Sequence, residues 1–490
     1  MNEVFILVNL RKNKKEKILQ TTQVYTPKQK ALDINMDASI YGTFAEIGAG
    51  QETVRHFFRA GAASKTIAKA MSAYDKEFSD AIYGKEPYSR YVTQNRLRKM
   101  LKYEASLIEE RLDPNQNTGK KYFSYANTVA TINYRKTYKG HGWVGIRFQL
   151  EEGGGYNEIV LHVEFQENDA TFQQETLGNL GVNLIYGAFR YSDNPRKLIE
   201  SLYDDIAIDK LKIDMIDFSG PEFRYVDNRL MSLHLVRMGM TDAVVFNSEG
   251  HNMLTADLLY GQNIFAVRGS FRPVTLVNTD MFEKGLSMFL KENNITLDQT
   301  KVLFEITTTN LRASGKIDER DFLDRADVLA QLGYNIMISN FSEYYRMVDY
   351  FSHYSTEKIG VTMGVNNLLD VFDEEFYQNL PGGILEAFGK FFKKGMRVYL
   401  YPYKDTTSGE LLTSENLKVH PNLKELYKYF KKNQLIVDIK NYNPDYLEIY
   451  SREVLKKILE RKEGWEKQLP KGVAEMIKSR GMFGYKEMAL

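Results

Sequence analysis

The sequence predicts an α/β protein built on a parallel β/α repeat, either closed as a (β/α)8-barrel-like fold or left open and doubly wound. Helical N- and C-terminal flanks and a small β-rich insertion complete it. Three observations carry this reading. Over 176–405, short apolar runs alternate with amphipathic windows, as strands joined by crossover helices do. Over 36–112 and 406–490, apolar residues recur at helical spacing. Over 113–175, short strand-like runs surround a glycine cluster.

Residues 1–35 read as an arm, with an apolar stretch at Phe5–Leu10 followed by a basic cluster. A secretory leader has the reverse order, charge before apolar run, so none is expected. In 36–112, Val54, Phe57 and Phe58, then Leu97, Leu101, Ile108 and Leu112, predict helices. The Ala-rich segment from Gly61 to Met71 has strong helix propensity, and Tyr83-Gly84 and Pro87 interrupt the pattern. Asp113-Pro114-Asn115-Gln116-Asn117 is a turn cluster. The runs YFSYANTVATINY, GWVGIRFQLE and EIVLHVEF follow, the last two forming a hairpin about Gly153-Gly154-Gly155.

The strand candidates of 176–405 are VNLIYGAF, LKIDMIDFSG, DAVVFNSEG, NIFAVRGSF, VLFEITTTN, NIMISNFSE, KIGVTMG and MRVYLYPY. Their uninterrupted series favours the barrel. Asn194-Pro195 reads as an N-cap and first-turn proline. Asp318 caps a helix carrying Phe322, Leu323, Ala326, Leu329 and Leu332, and Gly333 ends it. In 406–490, Pro421 opens a window with Leu423, Leu426, Tyr427 and Phe430, and Val454 and Ile458 mark another. The tail carries Phe483, Tyr485 and Leu490.

Composition removes several chemistries. Among 490 residues, 65 are basic and 64 acidic, a net charge of +1 that supplies no global field for nucleic acid or anionic membrane. With no cysteine there is no disulfide, thiolate nucleophile, Fe–S cluster or Cys-ligated zinc. Seven histidines are scattered without an H-E-x-x-H pattern, so no metal site is expected. No G-x-S-x-G elbow occurs. No segment approaches the ~20 apolar residues of a spanning helix. The setting expected is cytoplasmic, with no membrane partner.

In a parallel architecture, ligands bind outside the carboxyl ends of the strands. The polar residues there are Asp217, Ser219, Asn247, Glu249, Arg268, Ser270, Arg272, Glu305 and Asn340. Arg268 and Arg272 suit a bidentate grip on phosphate or carboxylate. Ser270, with Ser219, Asn247, Glu249 and Asn340, supplies hydrogen bonds. Asp217 and Glu305 are the candidates for acid–base work once burial shifts them. Turn chemistry alone also favours Asn, Asp, Ser and Gly at strand ends, but not two arginines. Gly48-Ala49-Gly50 is part of a dinucleotide fingerprint with Thr53 where the third glycine belongs, and reads as a tight turn before a helix.

The segments YGTFAEIGAGQE, AGAASKTIAKAMSAYD, HGWVGIRFQ, GNLGVNLIYGAF, DFSGPEF, VDNRLMSLHLV, RGSFRPVT and ISNFSEYYRM resemble a widespread family of uncharacterised bacterial cytosolic proteins. Its members often carry the labels nicotinate-nucleotide adenylyltransferase or TonB-dependent receptor. The resemblance spans nearly the whole chain and implies one coherent fold and a cytosolic setting. It transfers no catalytic residue: Gly140-His141-Gly142 is not the H-x-G-H pair that the adenylyltransferase label requires.

Two functions follow as expectations. One is binding of an anionic, phosphorylated or nucleotide-like small molecule at the strand ends, with the cofactor and reaction unknown. The alternative is a self-assembling ring, filament or scaffold, because exposed aromatics and an aromatic tail suit an interface. In both, a homo-oligomer is the expected partner and no specific nucleic acid is.

Overall fold

Helix α1 (Pro27–Met36) is the first element described by the computed structural model, capped by the Thr26 hydroxyl, which accepts from the Gln29 amide at 3.3 Å. Residues 25–87, 90–112, 119–312, 315–393 and 395–486 are described. The basic arm before Tyr25, the Asp113–Asn117 turn cluster and the final residues 487–490 lie outside them. By internal contact the chain forms two units, one running to Lys212 with Phe218–Tyr225 added, the other Ile213–Asp217 with Val226 onward. The boundaries expected near 112 and 175 fall inside the first unit, and the one near 405 inside the second.

The first unit continues with β1 (Ile40–Gly48), α2 (Glu52–Ala60), β2 (Ile67–Met71), α3 (Lys76–Tyr83), α4 (Gln94–Arg111), β3 (Lys121–Ala130), β4 (His141–Phe148), β5 (Asn157–Phe165), α5 (Ala170–Arg190), α6 (Pro195–Ser201) and the ends of β6 (Leu211–Ser219), whose residues Ile213–Asp217 count with the second unit. Its sheet runs β2–β1–β3–β4–β5–β6. β1 lies parallel to β2 and β3, while β3, β4 and β5 form an antiparallel meander around the expected glycine hairpin. Alternation along β3 sends Ser124 toward α4, where its hydroxyl donates to Leu101 O at 2.8 Å. Phe123 points the other way, onto Phe189 of α5, with ring centroids 5.8 Å apart.

Three expectations change here. The Ala-rich stretch 61–71 is not a helix: a short turn leads into edge strand β2, because pairing with β1 outweighs propensity. VNLIYGAF is not a strand but the second half of α5, buried nearly all round, with Asn183 as its polar member bound to Lys30 and to Leu202 O. The segment read as purely helical, 36–112, contains β1. Helix α5 crosses α2 so closely that a Cβ on Gly181 would stand 2.3 Å from Thr53 Oγ1 and 2.5 Å from Tyr125 OH.

The second unit holds α7 (Asn228–Met238), β7 (Ala243–Phe246), β8 (Asn252–Met253), α8 (Thr255–Leu259), β9 (Asn263–Arg268), α9 (Leu276–Asn293), β10 (Thr300–Thr307), α10 (Thr308–Arg312), α11 (Glu319–Gln331), β11 (Asn335–Ser339), α12 (Tyr344–Tyr354), β12 (Ile359–Gly364), α13 (Val365–Val371), α14 (Gly383–Phe391) and β13 (Met396–Tyr401). A two-stranded ribbon, β14 (Tyr403–Lys404) and β15 (Leu411–Leu412), precedes α15 (Lys424–Lys432), β16 (Ile436–Asp438), α16 (Ser451–Leu459) and α17 (Val473–Arg480).

Its sheet order is β16–β13–β12–β9–β10–β11–β7–β8. The six strands from β16 to β11 are mutually parallel; β7 pairs antiparallel with β11, and β8 pairs antiparallel with β7, which returns it to the direction of the six. The order has two ends, so the open, doubly wound alternative holds and the barrel does not. The expectation that the strands of this stretch share one direction is corrected at β7, which alone runs against the rest of this sheet. The chain runs from β9 outward through β10 to β11, then returns to the other side of β9 for β12, β13 and β16. That is the strand order of a dinucleotide-binding doubly wound sheet, with its switch point between β9 and β12.

The two faces carry separate cores, as alternation requires. Phe265, Val267, Phe304 and Ile306 pack under α9, α11, α16 and α17. Ile264, Ala266, Leu303 and Met337 pack under α12, α13, α14 and α15. Asp318 caps α11 as expected, accepting from Arg320 and Asp321 amides. The aromatic tail also joins the first of these cores. Phe483 is buried, and its amide donates to Asp324 Oδ2 at 2.7 Å. Through Lys486 the tail therefore lies on its own unit, which withdraws it as an argument for docking on a neighbour. Among the described residues, no helix is long and apolar enough to cross a membrane.

Candidate functional site

The switch between β9 and β12 sends α9 to one face and α12 and α13 to the other, which opens a crevice at the carboxyl ends. A cavity of about 340 Å³ occupies it, lined by Arg268, Ser270, Thr307, Asn310, Tyr344, Asn367 and Asp370 among others. Arg268 ends β9 in register with Glu305 of β10, and Ser339 ends β11 on the same face.

These three side chains form one buried polar knot. Arg268 Nε donates to Glu305 Oε2 at 2.6 Å and Nη2 to Oε1 at 3.0 Å. Ser339 Oγ donates to Glu305 Oε1. Glu305 is 0% exposed and Arg268 7%. Burial opposes the guanidinium charge, but the Glu305 carboxylate outweighs it and raises the Arg268 pKa. Arg268 Nη1 donates to Ser342 O at 3.2 Å, and the guanidinium stacks 4.3 Å from the Tyr344 ring centroid. Three of its five N–H donors are thus engaged, and one on each Nη is left for a ligand.

The wall is polar as well. Asn367 Nδ2 donates to the Tyr344 hydroxyl at 2.8 Å. Thr307 Oγ1 donates to Asn310 Oδ1 and accepts from the Asn310 amide, which ties the end of β10 to α10. Desolvation, reinforced by neighbouring Asp373, raises the Asp370 pKa. Buried Arg325 of α11 donates from Nη1 to Ser270 O at 3.0 Å and Asn310 O at 3.3 Å, fixing both loops.

The residues expected at one rim are divided. Arg268, Ser270 and Glu305 come together there. Glu305 accepts three hydrogen bonds, two from Arg268 and one from Ser339, and is 0% exposed, so it holds the arginine in place from beneath the cavity. Arg272 donates from Nε to Asp321, which also binds Arg325, so it braces the β9 loop, and it is not among the residues lining this cavity. Asn340 follows β11, its amide donating to Asp242 O and its Oδ1 buried without a partner among the described residues. Asn247 and Glu249 lie at the opposite rim, because β7 is antiparallel and Phe246 pairs with Ile336 near the start of β11. Asp217 joins them on that side: Asn252 of β8 donates to Ile216 O, and Asp217 accepts from Asn228 Nδ2 at 2.9 Å. Ser219 belongs to the other unit. Asp217 is therefore no partner for Glu305.

Sequence reasoning missed Tyr344, Asn367, Asp370 and Arg325. The first three sit on helix faces that read as ordinary amphipathic patterning. Arg325 carried a usable signal, a cation on the apolar stripe between Phe322 and Val328.

The glycine turn Gly48-Ala49-Gly50 in the first unit is accounted for by the protein's own acid. Glu46 of β1 lies beneath the N-terminus of α2, with the Thr53 and Val54 amides, the Thr53 hydroxyl and Asn127 as partners. Burial pushes its pKa up to about 8 despite these donors. The helix start thus faces a carboxyl of this chain. Among the described residues, no group of three or more His, Asp or Glu side chains is placed to hold a metal ion.

No family model matches the chain, and no curated protein matches it significantly. Solved structures that it resembles include a competence-damaged protein (CinA) superfamily protein from Enterobacter cloacae, at 12% identity and a TM-score of 0.25, covering 33% of this chain and 92% of that one. A competence/damage inducible protein CihA from Agrobacterium tumefaciens gives 14% identity and a TM-score of 0.24, over 32% of this chain and 93% of that one. At such scores the likeness carries no argument about function.

Proposed function

We propose that the second unit binds a small anionic or nucleotide-like molecule in the crevice at the β9–β12 switch point. The observation that carries this is Arg268: buried, held charged and oriented by Glu305, with a donor on each Nη unspent, at the place where doubly wound sheets take ligands. The Ser270, Thr307 and Asn310 side chains and the loop backbone around Gly269 supply the remaining polar contacts. The cavity volume, about 340 Å³, suits a compact ligand such as a mononucleotide or phosphorylated metabolite. No reaction is assigned.

Thermal unfolding with orthophosphate, pyrophosphate, AMP and ATP tests this reading. A ligand at one hundred times its Kd stabilises the fold that binds it by about 2.7 kcal/mol. At least one probe should raise the melting temperature of the wild type and leave Ser270→Trp, which fills the mouth, unmoved. No shift with any probe, or equal shifts in both chains, refutes it.

A further inference from the structure

We propose that the loop joining β3 and β4, residues 131–140 of the first unit, is a docking tip for single-stranded nucleic acid, bound without sequence preference. The loop reads Thr-Ile-Asn-Tyr-Arg-Lys-Thr-Tyr-Lys-Gly. Tyr134 is 102% exposed and Tyr138 is 74% exposed, against the usual economy by which large rings are covered. Arg135, Lys136 and Lys139 lie among them, also exposed, and have no carboxylate partner among the described residues.

The tip is preorganised. Asn133 Oδ1 accepts from the Thr137 amide at 2.8 Å, and its Nδ2 donates to Thr137 Oγ1 at 2.7 Å. The Lys136 amide donates to Asn133 O at 2.9 Å. At its base, the Ile132 amide donates to Gln173 Oε1 at 2.8 Å, next to Phe172, a third exposed ring at 56%. On the adjoining segment Asp169 caps α5 and Glu167 binds Lys210 and Thr176, while Glu175, three residues after Phe172, is exposed. Rings held clear of the surface, alternating with unneutralised cations, match the two needs of a single strand. Bases stack on aromatic faces, and phosphates meet cations. A duplex hides its base faces, so this tip would not hold one. The local charge acts within a Debye length, so the chain's near-zero net charge does not oppose it.

Fluorescence anisotropy with a labelled oligothymidylate of about 20 nucleotides decides this. The full-length wild type should bind at low salt, with a log–log salt slope near −2, as expected for about three phosphates on a single strand. Tyr134→Ala/Tyr138→Ala should weaken binding at least about tenfold, and Tyr134→Phe/Tyr138→Phe should restore it, because stacking needs the ring and not the hydroxyl. Arg135→Ser/Lys136→Ser/Lys139→Ser should abolish the salt slope. All these variants spare Asn133 and Thr137, so circular dichroism should not change. No binding, unchanged affinity in the alanine pair, or preference for phosphatidylserine vesicles over the oligonucleotide overturns the proposal.

Discussion

Replacing Glu305 with alanine should destabilise the second unit by about 3–5 kcal/mol, because it leaves the Arg268 charge buried and uncompensated. Arg268→Ala should cost a similar amount, since Ser339 alone cannot satisfy a carboxylate that is 0% exposed. The double substitution Arg268→Leu/Glu305→Leu should cost far less than the sum of the two single changes, because apolar side chains of similar volume need no desolvation. The two tryptophans make the measurement clean. Trp465 lies in the second unit and Trp143 in the first, so urea unfolding in a Trp143→Phe background reports the second unit by fluorescence. Single-variant losses under about 1 kcal/mol, the range of surface pairs, would mean that the pair is not buried as described.

Glu46→Gln should stabilise the first unit at alkaline pH and remove much of its pH dependence. The carboxyl titrates at about 8 in the folded chain and near ~4.3 when unfolded. Below the unfolded value it is protonated in both states and costs nothing. Between the two values the unfolded chain ionises and the folded one does not, so stability falls as pH rises. Above about pH 8 the loss is complete. A shift of that size corresponds to about 5 kcal/mol, at roughly 1.4 kcal/mol per unit. Glutamine keeps the acceptor for the Thr53 and Val54 amides without the ionisation. The difference in unfolding free energy between wild type and Glu46→Gln, read from Trp143 in a Trp465→Phe background, should grow from pH 5 to pH 9. Parallel curves would show that Glu46 is not the group held protonated.

Much of the second unit was legible. The strands β9 to β12 announce themselves as short apolar runs closed by Gly, Ser, Asn or Thr, and β13 as one closed by Pro402, and Asp318 and Gly333 bound α11 as their chemistry dictates. Glu305 was legible as an anomaly, a charge inside a strand whose neighbours are all apolar. Its partner was legible only as a strand-end arginine, since pairing depends on which strands become neighbours. The order that puts β12 beside β9 is a long-range choice that no local window records. The antiparallel sense of β7 is equally hidden, because Ala243–Phe246 reads the same in either direction, and this one reversal moves Asn247 and Glu249 to the far rim. In the first unit, VNLIYGAF misled because a short apolar run does not distinguish a buried helix from a strand. β1 was hidden by Gly42 and Glu46. The glycine is there because a Cβ would meet Phe123 at 2.3 Å.

The most direct test of the rim site uses the absence of cysteine from the chain. Ser270→Cys places a single thiol at the cavity mouth, and Asn247→Cys places one at the opposite rim. Rates of maleimide labelling, with and without saturating pyrophosphate or ATP, compare the two. Ligand should slow labelling at position 270 several-fold and leave position 247 unchanged. Equal rates at position 270 with and without ligand, or slowing confined to position 247, would contradict a ligand site at the β9–β12 switch.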